Sequence, residues 1–290
     1  MVHQYYFVKE KKMNDALEFL LKSIAEQLSL SSGDKGVLLQ NLDQYLPELY
    51  KYSVSIMDIV VKPIGYTLLG FFLLIEFQAL AQKMSSSSNG QTGGMEFLLP
   101  LVIKVGFCSL VMRNLALFLK AIMDVGITIT RGISNLGIAA GGSNKIDISN
   151  AMDTISDLGF FSQLMLLVVF LLVLLISIFT NVLVKVIVFM RFLELYVYMS
   201  ISPLPVATLP NAELNQIGKN FFKSFVAASL QGTLLFLVLS FYPILVNGIF
   251  TLTGGEGAFE ITASILGYSV ALAFCLFYTG KWSKSITTAA

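Results

Sequence analysis

The sequence predicts an all-α protein: a polytopic bundle of about six membrane-crossing helices, five being the alternative, with amphipathic helices at its N-terminal end. Three observations carry that expectation. Gly159 to Val184 and Ser224 to Gly255 contain no charged residue, and each exceeds the about 20 apolar residues that a hydrocarbon core requires. Ile261 to Gly280 meets the same length. Overall, 56% of residues are hydrophobic and 13% charged, whereas a soluble domain carries about 25% charged residues.

The same inventory narrows the chemistry. Net charge is +1, so no bulk attraction for nucleic acid is expected. The cysteines are Cys108 and Cys275, both in predicted spans, which predicts small buried hydrophobes and no disulfide framework. His3 is the single histidine, so neither a His/Cys metal site nor a histidine-dependent nucleophile can be assembled. Phosphate-loop, zincin, nucleophile-elbow and kinase signatures are missing. Ile217-Gly218-Lys219-Asn220 only echoes a nucleotide loop, without the upstream glycine or the hydroxyl residue. No cofactor, metal or catalytic residue is expected. The opening MVHQYYFVKEKKMND is polar and charged, so no cleavable signal peptide is expected.

Residues 1–52 read as cytoplasmic amphipathic helices. Leu17, Leu20, Leu21, Ile24 and Leu28 recur at helical spacing between Glu18, Lys22 and Glu26. After Ser31-Ser32-Gly33-Asp34 a second apolar set follows: Val37, Leu38, Leu42, Tyr45, Leu46 and Leu49. Such helices suit a cap on the protein's own membrane domain, the membrane surface, or a partner.

Residues 53–290 read as the transmembrane domain. The first span, 54–82, holds Asp58 and Lys62 at pairing distance, Pro63 as a possible kink, and Glu76 without a local basic partner. Residues 85–94 read as a polar linker. The second span, 96–123, carries Lys104, Arg113 and Lys120; Arg113 and Lys120 share a face, Lys104 lies opposite, and Asp124 can pair with Lys120. Residues 125–158 read as a loop with interfacial helices, one of them Ile146 to Leu158 capped by Ser149 or Asn150. Spans at 159–180 and 182–202 form a hairpin if the chain turns near Thr180-Asn181; otherwise they are one very long helix. Pro203, Pro205 and Pro210 then break the helix. Spans at 219–250 and 259–280 complete the set. With six spans and both ends cytoplasmic, the basic residues fall on the inner side, as the positive-inside rule requires.

Glu76, Lys104, Arg113, Lys185, Arg191 and Glu194 are therefore ionisable groups at membrane depth. A charge at the bilayer centre costs at least about 2.5–3.5 kcal/mol, so each must face protein or water. They suit a polar path or a subunit interface. Buried ion pairs within the bundle, such as Arg191 with Glu194, or snorkelling to the interface, serve equally.

The segment from Arg191 to Leu235 resembles the TrbL-like family, the inner-membrane channel subunits of type IV secretion systems, in its Gram-positive conjugative form. The matching features are Arg191 and Glu194, Ser202-Pro203-Leu204-Pro205, Gly218-Lys219, and Ala227-Ala228-Ser229-Leu230-Gln231-Gly232, with Lys62-Pro63-Ile64-Gly65 and Glu76 earlier. The resemblance implies a non-enzymatic subunit of a DNA- and protein-exporting machine. It implies a homo-oligomeric ring of about five or six copies in the cytoplasmic membrane. Further implied partners are other secretion subunits including ATPases, and transferred single-stranded DNA. Beside it, the residues themselves fit close helix packing at Ala228, Ser229 and Gly232, and a rigid break at Pro203 and Pro205. Lys219 and Lys223 suit lipid headgroups or nucleic-acid phosphate, lipid being favoured. A secondary transporter using Glu76, Arg113, Arg191 and Glu194 is the competing expectation, though no inverted repeat is evident.

Overall fold

A computed structural model describes residues 13–24, 26, 36–86, 93–139, 160–252 and 258–287. Among them every regular element is helical and no strand occurs. Residues 13–24 form a helix, followed by α1 (Leu42–Tyr45) and α2 (Pro47–Ser55). A π-helical turn (Ile56–Val61) joins α2 to α3 (Lys62–Ser86). Then come α4 (Gly93–Arg113), α5 (Leu115–Ala139), α6 (Phe160–Ile201), α7 (Pro203–Ala207), α8 (Asn215–Leu252) and α9 (Ala258–Thr287). Among the described residues, three helical stretches are long and apolar enough to cross a membrane: Pro47–Gln82, Phe161–Ile201 and Asn215–Tyr242. A fourth exists if the bent pair Leu99–Arg113 and Leu115–Leu136 counts as one span.

The elements depart from expectation in instructive ways. The helix runs through Pro63 because a π turn precedes it. The Lys62 N–H reaches back five residues to the Met57 carbonyl, so the register shifts just where proline's ring would otherwise meet the ladder. The expected straight span at 96–123 is broken at Asn114, where the axis bends by 77°. Asn114 directs its side-chain Nδ2 to the Leu110 carbonyl at 3.1 Å, a local bond that competes with the helical ladder. Arg113 and Lys120 therefore do not share one straight helix. The loop expected from residue 125 is instead the continuation of α5 as far as Ala139. The second helix expected at Ile146 to Leu158, with its cap, lies outside the described residues.

Of the two readings left open at Thr180-Asn181, hairpin or one very long helix, the structure has the second: α6 is one helix of 42 residues. Its hydroxyls turn inward on the ladder rather than breaking it. Ser177 donates to the Val173 carbonyl and Thr180 to the Ile176 carbonyl, at 2.8 and 2.9 Å. That merges two of the about six spans counted from sequence, and removes the arithmetic that set both chain ends on one side.

The chain divides into two compact units. The first comprises Met1–Leu39, Ile129–Phe189 and Gly232–Thr279. Its core includes Leu17, Leu21 and Ile24 of the first helix with Leu166, Phe170 and Val173 of α6. Polar contacts inside it are paired: the Thr130 and Thr233 hydroxyls meet at 2.9 Å, and Gln163 donates to Asn14 at 2.8 Å. Arg131 donates to the Leu39 carbonyl at 3.3 Å.

The second unit comprises Gln40–Thr128, Met190–Gln231 and Gly280–Ala290. Here the turn around α1 is fixed to the helical bundle. Lys120 pairs with Asp43 at 2.6 Å, Asn41 donates to Asp124 at 2.6 Å, and the Tyr196 hydroxyl donates to the Leu42 carbonyl at 2.7 Å. Tyr45 stacks on Phe192 with ring centroids 4.1 Å apart. The expected Lys120–Asp124 pair is thus replaced: both side chains turn to the incoming N-terminal segment. Of the readings left open for the second amphipathic piece, packing on its own chain is the one adopted.

Candidate functional site

All the geometry of the candidate site lies within the second unit. Its centre is Arg191 on α6, only 3% exposed. Its Nε donates to the Ala228 carbonyl and its Nη2 to the Ser229 carbonyl, both on α8 and both at 3.1 Å. The Met123 sulfur of α5 lies 3.8 Å from Nη2, and the guanidinium sits 5.1 Å from the Phe192 ring centroid. Nη1 has no hydrogen-bond partner among the described residues. A flat guanidinium with forked donors suits two successive carbonyls better than an ammonium does. Among the described residues no carboxylate takes part: Glu194 instead accepts from the Tyr198 hydroxyl at 2.9 Å. The expected Arg191–Glu194 ion pair does not form.

Small residues let the three helices meet at this point. A Cβ on Gly126 of α5 would lie 2.9 Å from the Ser229 hydroxyl. Ala228 and Ser229 are buried, as is Gly232 in the first unit. On the other side of α8, the Ser283 hydroxyl of α9 donates to the Ala227 carbonyl. Tyr198 packs edge-on against Phe221 at 5.9 Å.

The second locus is the joint after α6. The proline break is a single turn residue, Ser202, followed by a short helix, and irregular turns follow at residues 208–214. Pro203 stands at the first position of the short helix α7, where proline's missing N–H costs nothing. Ser202 keeps right-handed helical angles and donates its hydroxyl to the Met199 carbonyl at 2.8 Å. The same hydroxyl lies 3.5 Å from the Met57 sulfur in the π turn. Gly65 on α3 allows a close approach there: a Cβ would lie 3.0 Å from Pro203 Cβ and 3.1 Å from its carbonyl oxygen, tight enough that the joint would have to shift. Further on, Asn211 accepts the N–H groups of Glu213 and Leu214 at 3.0 and 2.9 Å. Glu76, which lacked a partner in the sequence, accepts the Ala212 N–H at 3.1 Å. Gly218 is a packing glycine and no phosphate loop, since a Cβ would meet the Pro205 carbonyl oxygen at 2.7 Å.

The remaining predicted residues scatter. Lys104, Lys185 and Lys219 are exposed, and Lys223 is half-buried. The Arg113 side chain is exposed while its carbonyl accepts from Lys62 at 3.2 Å; Lys62 also pairs with Asp58 at 2.7 Å, as their spacing predicts. Sequence reasoning missed Gly126 and the contacts of Tyr196, Asp43 and Asn41. Their partners lie far away in the chain, and no local periodicity marks them.

These features define a polytopic, all-helical integral membrane protein whose buried cation and proline joint are fixed by helix backbone. The chain belongs to the TrbL/VirB6 plasmid conjugal transfer-like protein family, whose sequence model matches residues 38–203, more than half of it. It is accordingly a membrane subunit of conjugal transfer, a type IV secretion function. Arg191, Glu194 and Pro203 fall inside the match, whereas Pro205, Gly218, Lys219 and Ala228 lie beyond it. No curated protein and no solved structure matches the chain.

Proposed function

We infer that the protein is a channel or scaffold subunit of a conjugative type IV secretion machine, forming a homo-oligomeric ring in the cytoplasmic membrane for export of DNA and protein. Family membership over residues 38–203 carries this reading. The subunit performs no reaction of its own and depends on separate secretion ATPases. Arg191 and the Pro203–Pro205 joint hold the second unit in shape. The exposed cations Lys104, Arg113, Lys185 and Lys219 and the half-buried Lys223 remain for subunit contacts, lipid headgroups or the phosphates of transferred single-stranded DNA.

The test is a mating assay combined with particle sizing. Deleting the gene should abolish transfer, and the wild-type copy should restore it. Protein extracted with its membrane should appear by mass photometry and electron microscopy as a symmetric ring. Normal transfer without the protein would defeat the reading. A monodisperse monomer that binds no secretion ATPase in a pull-down would defeat the ring.

A further inference from the structure

The lysines of α8 and α9 stand where the uncharged stretches of both helices stop. On α8, Lys219 and Lys223 come first, and no charge follows from Ser224 to Gly255. On α9, no charge occurs from Ile261 to Gly280, and Lys281 and Lys284 come next. Between the two stretches the sequence holds Glu256 and Glu260 and no basic residue.

Inside the second unit, two contacts bring the lysine pairs together. The Ser283 hydroxyl donates to the Ala227 carbonyl. One turn further along α8 and one turn back along α9, a Cβ on Gly280 would touch the Gln231 side chain at 3.4 Å. The helices are therefore antiparallel here. Counted from these contacts, Thr287 comes level with Lys223, Lys284 with Ala227, and Lys281 within a turn of that level. The four lysines occupy about 17 Å of the pair's length. Residues 215–231 and 280–287 contain no acid.

Lys219, Lys281 and Lys284 are exposed and Lys223 is half-buried. Trp282 is 42% exposed and lies on the side of α9 away from Gly280 and Ser283, the positions turned to α8. Asn215–Tyr242 is a candidate span, and its charge-free part begins at Ser224, directly after Lys223. Exposed tryptophan beside lysine, at the end of such a stretch, is the composition of a membrane–water interface. The ring sits at headgroup level, and the ammonium groups snorkel outward to phosphate. Basic residues at this end, and none between the stretches, make it the cytoplasmic end, where the leaflet is anionic. Single-stranded DNA offers the same phosphate. Binding to DNA, however, requires neither the alignment with two uncharged stretches nor the outward Trp282.

We propose that the lysine end of α8 and α9 seats anionic phospholipid headgroups, with Lys219, Lys223, Lys281 and Lys284 meeting phosphate and Trp282 set beside them at the interface. This rests on the chain spanning a membrane and not on its role in secretion.

Trp282 is the sole tryptophan, so its fluorescence reports on this place alone. The test puts the full chain in phosphatidylcholine nanodiscs containing either brominated phosphatidylglycerol or brominated phosphatidylcholine. The anionic lipid should quench Trp282 at about one-fifth of the mole fraction the zwitterionic lipid needs, the preference one lysine near a membrane surface supplies. High salt should shrink the difference. Changing all four residues, Lys→Gln, should make the two lipids equal while leaving quenching by phosphatidylcholine intact; Lys→Arg at all four should keep the preference. Equal quenching of the wild type by both lipids overturns the seat. So does a preference that survives in the glutamine variant, or a Trp282 that neither lipid quenches. Relief of the anionic quenching by a single-stranded oligonucleotide would make nucleic acid the occupant and overturn the lipid assignment. The mating assay is independent of all these outcomes, so the seat can fail while the secretion reading stands.

Discussion

Among the described residues, the buried charge of Arg191 meets two carbonyl oxygens, the Met123 sulfur and the Phe192 ring, and no carboxylate. Removing a charge from the interior relieves desolvation, while removing its volume leaves a cavity. The two effects separate by choice of substitution. Arg191→Ala loses both carbonyl contacts, the guanidinium's contacts with Phe192 and Met123 and the side chain's buried volume, and should cost about 2–4 kcal/mol. Arg191→Met keeps most of the volume without the charge and should cost less than about 1.5 kcal/mol. Arg191→Lys keeps the charge but cannot span both carbonyls, and should fall between them. Thermal unfolding in one detergent ranks the three. If Met and Ala were equally damaging, the hydrogen bonds to Ala228 and Ser229, and not the packing, would dominate.

At the scale of elements, two glycines on α3 make a direct comparison. Gly70 has open space where a Cβ would go, so Gly70→Ala should be neutral or stabilising by up to about 1 kcal/mol from helix propensity. Gly65→Ala drives a methyl into Pro203, and Gly218→Ala drives one against the Pro205 backbone; each should cost about 1–3 kcal/mol. Equal melting of Gly65→Ala and Gly70→Ala would mean that α3 and α7 are not in contact. The N-terminal turn allows a second comparison. A double-mutant cycle on Asp43→Ala and Lys120→Ala should return a coupling of about 0.2–1 kcal/mol, since both side chains are partly exposed. A coupling of zero would mean that the Asn41–Asp124 and Tyr196 bonds and the Tyr45–Phe192 stack hold the turn without the ion pair. The same elements show what was legible beforehand. Length and absence of charge sufficed for α6 and α8, because hydrocarbon imposes a minimum run. The bend at Asn114 and the continuity through Thr180 were not. A side-chain amide or hydroxyl bonded to its own helix either bends it or leaves it intact, and the sequence around it is the same kind in both cases. The partner of Arg191 was misread because Glu194, three residues away, is visible in sequence and a carbonyl on another helix is not.

For the molecule as a whole, the joint at Pro203 decides where a 42-residue helix ends. Two missing N–H groups, at Pro203 and Pro205, stop the ladder of α6 without taking Ser202 out of helical angles. Everything beyond depends on that stop: the Gly65 contact, the Glu76 bond to Ala212, and the return of α8 to Arg191. Restoring both N–H groups by Pro203→Ala with Pro205→Ala lets α6 continue, since alanine is the best helix former. The extended helix would carry Ala212 away from Glu76 and α8 out of reach of Arg191. The double variant should therefore insert in the membrane at normal levels, retain its helical circular dichroism, and lose conjugal transfer. Pro205→Ala alone leaves Pro203 at the first position of α7 and should transfer nearly as well as the wild type. Normal transfer by the double variant would show that packing on Gly65, and not the prolines, places the joint. In that case Gly65→Leu should abolish transfer even with both prolines in place.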